Sequence, residues 1–135
     1  MSNADVQSDL RLLETTSDAN ERNAAALRLA DKEVPEARTA LLRLIGRDDL
    51  RSERGTLVYC LRPFDCSDSV GLLIDLVISG GFEEAHEALA VLDLVGEVQG
   101  DEIDEAFVAV ELAMKNSALD DWRRALLGEL LEMFD

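Results

Sequence analysis

Apolar residues recur along this chain at spacings of three and four, the period of helices that bury one face. Residues 4–15 carry Val6, Leu10, Leu12 and Leu13 on that pattern. A second helix is expected from Asp18 to about Lys32. Asp18 stands at an N-cap position with Glu21 three residues on, a capping-box arrangement, and Ala24, Ala25, Leu27 and Leu29 form the apolar set. Pro35 suits the first turn of a third helix, with Ala37, Ala40, Leu41, Leu44 and Ile45 on its face and Gly46 as a left-handed C-cap. Residues 49–62 read as a fourth, carrying Leu50, Leu57, Val58, Cys60 and Leu61 and ended by Pro63. Ser67 is the expected cap of a fifth, in which Val70, Leu72, Leu73, Ile74, Leu76, Val77 and Ile78 surround Asp75. A helix apolar nearly all round is expected to be sandwiched between neighbours. Gly80-Gly81 breaks the chain before helices at 82–95 and 101–115, the latter with Asp101 at its N-cap. A last helix near 119–134 carries Trp122, Leu126, Leu127, Leu130, Leu131 and Phe134. No alternating β-branched run lies between turn residues, so the expected class is all-α.

These helices repeat. Glu21-Arg22 returns as Glu53-Arg54, and a further shift lays Leu57, Val58, Cys60 and Leu61 on Ala88, Leu89, Val91 and Leu92. The alternate helices match as well, with Leu41, Leu42, Leu44 and Ile45 falling on Leu73, Ile74, Leu76 and Val77. Periodicity at roughly 30–35 residues marks stacked helix pairs. The segment Asp18-Ala19-Asn20-Glu21-Arg22-Asn23-Ala24-Ala25-Ala26-Leu27 resembles the first helix of a HEAT (armadillo-type) repeat, and Pro35-Glu36-Ala37 with Leu41-Leu42 resembles the start and centre of the second. The resemblance is strongest over residues 17–62 and extends to about 95. At Glu84-Ala85-His86 the arginine of the first two copies is missing. The resemblance implies a short α-solenoid of about three helix pairs with flanking helices, its first helices convex and its second helices lining a concave face. Members of that family are mainly scaffolds and binders, a few of them assisting cofactor attachment.

At 135 residues, 47 % apolar and 31 % charged, the chain has the composition of one folded domain spanning 1–135. The opening residues lack a basic n-region and an apolar h-region, and no run approaches the length of a membrane span, so a cytoplasmic location is expected. Cys60 and Cys66 do not form a disulfide framework, and with His86 as the single histidine four nitrogen or sulfur ligands cannot be assembled. Cys60 reads as a small buried hydrophobe. His86, between Glu83 and Glu87, reads as a solvated residue and not as a general base. Gly-rich nucleotide-binding motifs are missing. The run Asp101, Glu102, Asp104, Glu105 lacks the spacing of an EF-type calcium loop, and acids at a helix start are favoured by the helix dipole. No catalytic centre, metal or cofactor is therefore expected.

Charge changes the picture most. Acidic residues number 29 against 13 basic ones, a net −16. The imbalance is polarised: residues 1–67 hold 12 acids and 10 bases, residues 68–135 hold 17 and 3. Between Pro63 and Met114 there are 13 carboxylates and no lysine or arginine. Such a field repels nucleic acid and anionic membranes and steers a basic protein. General acidity for solubility, or adaptation to salt, would be expected to spread along the whole chain. The expectation is a non-enzymatic binding module whose acidic C-terminal half engages a basic protein, in its sharpest form an immunity protein neutralising a basic toxin such as a nuclease. The carboxylates assigned to that contact are Asp68, Asp75, Asp104, Glu105 and Glu111. The competing expectation is an adaptor that binds a peptide on its concave face. Trp122 either helps the last helix cap the stack or reaches a partner.

Overall fold

Asp18 opens the second helix as its sequence suggests, through a longer chain of hydrogen bonds. Its carboxylate accepts from the Asn20 and Glu21 N–H groups at 2.8 and 3.3 Å. The Glu21 carboxylate does not return to the Asp18 N–H. It accepts from the Thr16 hydroxyl at 3.1 Å, and that hydroxyl oxygen accepts from the Asp18 N–H at 3.1 Å, so the capping box closes through Thr16.

The computed structural model describes residues 3–95 and 100–133, and among these every regular element is helical. The α-helices are α1 (Asn3–Thr15), α2 (Ala19–Asp31), α3 (Pro35–Ile45), α4 (Gly55–Tyr59), α5 (Val70–Ser79), α6 (Phe82–Leu94), α7 (Gly100–Met114) and α8 (Asp121–Met133), with a 3₁₀ turn at Asp48–Leu50. The chain divides into two compact units, Met1–Phe64 and Asp65–Asp135. In the first, α1 packs on α2 and α3, and α4 packs on α2 and α3. Leu13, Leu29, Leu41, Ile45, Leu57 and Leu61 are fully buried there. In the second, α5 packs on α6, α7 and α8, while α8 also packs on α6 and α7. Leu73, Val77, Val110, Leu127 and Leu130 are fully buried there. Cys60 is buried as expected, and so is Cys66.

Four details differ from the sequence reading. Gly46 is not left-handed: with φ −77° and ψ −5° it continues the right-handed turn, its N–H donating to the Leu42 carbonyl. The left-handed cap falls instead on Glu33 (φ 51°), where the Glu33 and Val34 N–H groups donate to the Ala30 and Leu29 carbonyls in the pattern of a Schellman turn. The helix expected over 49–62 is divided, because Ser52 at φ 75° cannot continue it. What remains is the 3₁₀ turn and the short α4. Ser67 does not cap α5, which starts three residues later behind Ser69. Asp101 lies within the first turn of α7 and so is not its N-cap. Phe134 lies outside the described residues.

Helix C-termini leave carbonyls without intrahelical donors, and arginines from other elements supply them. Arg22 of α2 donates to the Thr16 carbonyl just past α1, at 3.0 Å. Arg54, at the start of α4, donates to the Ile45 carbonyl at the end of α3, at 2.7 Å. The recurring Glu-Arg pair thus has a physical reason, since each arginine closes the helix before it. The third copy has Ala85 at that position. There Arg123 of α8 does the work, donating to the Val77 and Gly80 carbonyls at the end of α5, at 2.8 and 2.6 Å. Its neighbour Arg124 reaches the Met114 and Asn116 carbonyls at the end of α7, at 3.2 and 3.1 Å.

The turn between α5 and α6 is tight. A Cβ on Gly80 would stand 2.5 Å from the Leu76 carbonyl oxygen, which is backbone and cannot swing aside. Gly80→Ala is therefore expected to lower stability by about 1–3 kcal/mol, the usual cost of overpacking. Gly71→Ala, where a Cβ meets nothing within 4 Å, is the control. Urea denaturation followed by circular dichroism checks this, and equal midpoints for the two variants would refute it.

Candidate protein-binding surface

The two units handle their carboxylates differently. In the first, Asp9, Glu14, Asp49 and Glu53 have arginine partners. Asp9, only 8 % exposed, accepts from Arg28 in a forked pair, Nη2 to Oδ1 at 2.8 Å and Nε to Oδ2 at 3.1 Å. That carboxylate raises the Arg28 pKa. Glu14 pairs with Arg43, and Asp49 pairs with Arg47 at 2.6 Å. The Arg47 guanidinium holds the Asp49 carboxyl below its ordinary range. Arg22 and Glu53 stand in a looser pair at 4.0 Å.

In the second unit two of the three basic residues, Arg123 and Arg124, are occupied with helix C-terminal carbonyls. Asp75, Asp104, Glu105 and Glu111 are exposed and have no ion pair among the described residues. The reading of α5 as apolar nearly all round needs correcting in one respect. The helix is sandwiched, by α6, α7 and α8, yet Gly71, Asp75 and Ser79, spaced by four, remain as an exposed stripe. Asp75 is therefore at the surface. Asp68 is also exposed, in the turn before α5, where it accepts from the Ser69 hydroxyl at 3.1 Å.

Asp104, Glu105 and Glu111 share α7 with two large exposed apolar residues, Val108 (60 %) and Leu112 (61 %). Positions 104, 108 and 112 follow one another at four-residue spacing, and 105 and 111 flank them. The structure thus groups three of the five assigned carboxylates on one helix face around an apolar stripe. Asp75 and Asp68 lie on other elements of the same unit. Apolar centres rimmed by charge are the usual anatomy of a protein interface.

Sequence reasoning missed a second feature. A groove of about 680 Å³ runs between α6 and α8. At one end Phe82, His86 and Trp122 gather, with ring centroids 4.1 Å apart for Phe82–His86 and 5.1 Å for Phe82–Trp122. The reading of His86 as simply solvated is corrected here: it is half-buried, packed against both rings, with Nδ1 2.7 Å from the Phe82 carbonyl oxygen. Arg123 lies over Trp122 with its guanidinium carbon 4.5 Å from the ring centroid. Ala90 and Ala125 line the middle, and Asp93, Glu129 and Met133 the far end. The signal available in the sequence was the placing of Phe82 and Trp122 in the first turns of their helices, which tells nothing until those helices are known to be neighbours.

No helix among the described residues is long and apolar enough to cross a membrane. The chain matches no family model, no curated protein and no solved structure.

Proposed function

We propose that this protein is a cytoplasmic, non-enzymatic binding module, a short HEAT-like α-solenoid, whose acidic C-terminal half engages a basic protein. The observation that carries the reading is the uncompensated charge of that half. Its exposed carboxylates Asp75, Asp104, Glu105 and Glu111 are unpaired among the described residues, while Arg123 and Arg124 are turned inward on backbone carbonyls. A field of one sign next to exposed Val108 and Leu112 supplies both steering and an apolar contact. The sharpest form is an immunity function: an acidic surface covers the basic active site of a toxin such as a nuclease, taking the place that phosphates would occupy.

The test is capture from the native lysate by the protein and by its D75N/D104N/E105Q/E111Q variant. Each is run at low salt and at about 0.5 M NaCl, where charges are screened beyond roughly 4 Å. A basic protein held by the unaltered chain at low salt, released at high salt and not held by the variant is the expected result. A partner indifferent to salt and to the four substitutions would replace this reading with that of an adaptor for apolar peptides.

A further inference from the structure

The groove between α6 and α8 has the dimensions and chemistry of a seat for a third helix. Phe82 and Trp122 touch at the first turns of their helices, and Asp93 and Met133 line the same groove about eleven residues further on. The two helices therefore run in the same direction along it for roughly 16 Å, about three turns. Between the two ends the buried Leu89 and Leu126 form an apolar floor, and Ala90 and Ala125 leave space above it. That is the shape into which a ridge of side chains fits.

The ends differ in charge. At the start stand the three rings. At the far end stand Asp93 and Glu129, both exposed and without an ion pair among the described residues. The last turns of α6 and α8 contain no basic residue to offset the negative ends of their helix dipoles. Two carboxylates, and two helices with no basic residue in their last turns, thus border the part of the groove away from the rings.

We infer that this groove receives an amphipathic α-helix of the basic partner, its apolar face over Ala90 and Ala125 and a lysine or arginine between Asp93 and Glu129. The inference rests on the basic-partner reading and deepens it, giving the partner a second contact distinct from the carboxylates of α7. Helix-in-groove docking draws its affinity from the apolar anchors and its choice of partner from the rim charges.

Trp122 is the only tryptophan of the chain, so intrinsic fluorescence reports on this groove. Two synthetic helical peptides of about 14 residues serve as probes. They share one leucine-rich face and differ in carrying lysine or glutamate on the other. The lysine peptide is expected to shift Trp122 emission with a dissociation constant in the micromolar range, and the glutamate peptide to bind at least about tenfold more weakly. Ala125→Leu, at an exposed position that fills the channel without disturbing the core, is expected to weaken the lysine peptide about tenfold, and D93K/E129K to do the same. D104N/E105Q/E111Q on α7 should leave it within about twofold.

The inference is overturned if the two peptides shift Trp122 equally or if Ala125→Leu binds as well as the unaltered chain. If calorimetry detects the lysine peptide, Trp122 does not respond and the α7 variant abolishes the heat, the groove assignment fails while the basic-partner reading stands. If neither peptide binds by either measurement, the groove inference fails, and the lysate capture alone decides the basic-partner reading.

Discussion

Replacing Arg54 with methionine is expected to lower the stability of the protein by about 3 kcal/mol, although methionine fills a similar space and suits a helix. Arg54 is 7 % exposed and donates to the Ile45 carbonyl at 2.7 Å. That carbonyl belongs to the last turn of α3, where the Gly46 and Arg47 N–H groups go to the Leu42 and Leu44 carbonyls instead and the helix dipole places partial negative charge. A hydrogen bond to a charged group contributes roughly 1.5–3 kcal/mol, and the carbonyl left behind adds part of its own desolvation cost. Arg54→Lys is expected to recover less than half, because an ammonium on a flexible stem cannot reproduce the fork of a guanidinium. Arg51, exposed and three residues earlier, is the reference: Arg51→Met should stay within about 0.5 kcal/mol of the unaltered chain. Guanidinium denaturation of the four proteins decides the matter. Equal midpoints for the two methionine variants would show that the α3 carbonyl finds its partner elsewhere.

That expectation connects two levels of the sequence. The Glu21-Arg22 and Glu53-Arg54 repeat was visible as a pattern, and so was its absence at Ala85, but the pattern does not say what the arginine does. The carbonyl it serves lies on the preceding helix, and which carbonyl becomes available depends on where that helix stops. Two helix starts were easy to read, because Asp18 and Pro35 act on their own first turns, whereas Ser67 and Asp101 do not cap α5 and α7. Helix ends were harder. Gly46 carries a glycine's freedom without using it, while Glu33 and Ser52 take left-handed conformations that nothing in their own chemistry announces. The apolar set Leu50, Leu57, Val58 and Leu61 keeps helical spacing and is buried throughout. Yet it is buried from a 3₁₀ turn and a short helix, since burial constrains where a side chain ends up and not the backbone path to it. The charge asymmetry needed no structure, because it is a count. The α6–α8 groove could not be read at all: it exists because helices forty residues apart are neighbours, and its aromatic end depends on their running in one direction.

The same logic gives the largest effect expected in the second unit. Arg123→Met should cost about 3 kcal/mol and should act first on α5, a helix 46 residues away in sequence. In the first unit the ends of α1 and α3 are served by arginines at the start of α2 and α4, Arg22 and Arg54. With Ala85 at the matching position, α5 depends on α8, whose Arg123 bridges the Val77 and Gly80 carbonyls at 2.8 and 2.6 Å and stacks over Trp122. Two charge-assisted bonds on one rigid group do not add fully, which keeps the figure near that of Arg54. The consequence for dynamics is that closure of α5 is tied to the docking of α8. Hydrogen exchange separates this from a general loss of stability. In Arg123→Met the Ser79 and Gly80 amides, of which Gly80 donates to the Leu76 carbonyl at 2.8 Å, should exchange about a hundredfold faster. Amides of α2 should be unchanged. If α8 alone loses protection and the end of α5 keeps it, then Arg123 anchors its own helix and α5 is closed by its backbone alone. The glycine pair, whose first member cannot accept a Cβ, would then be what holds that turn.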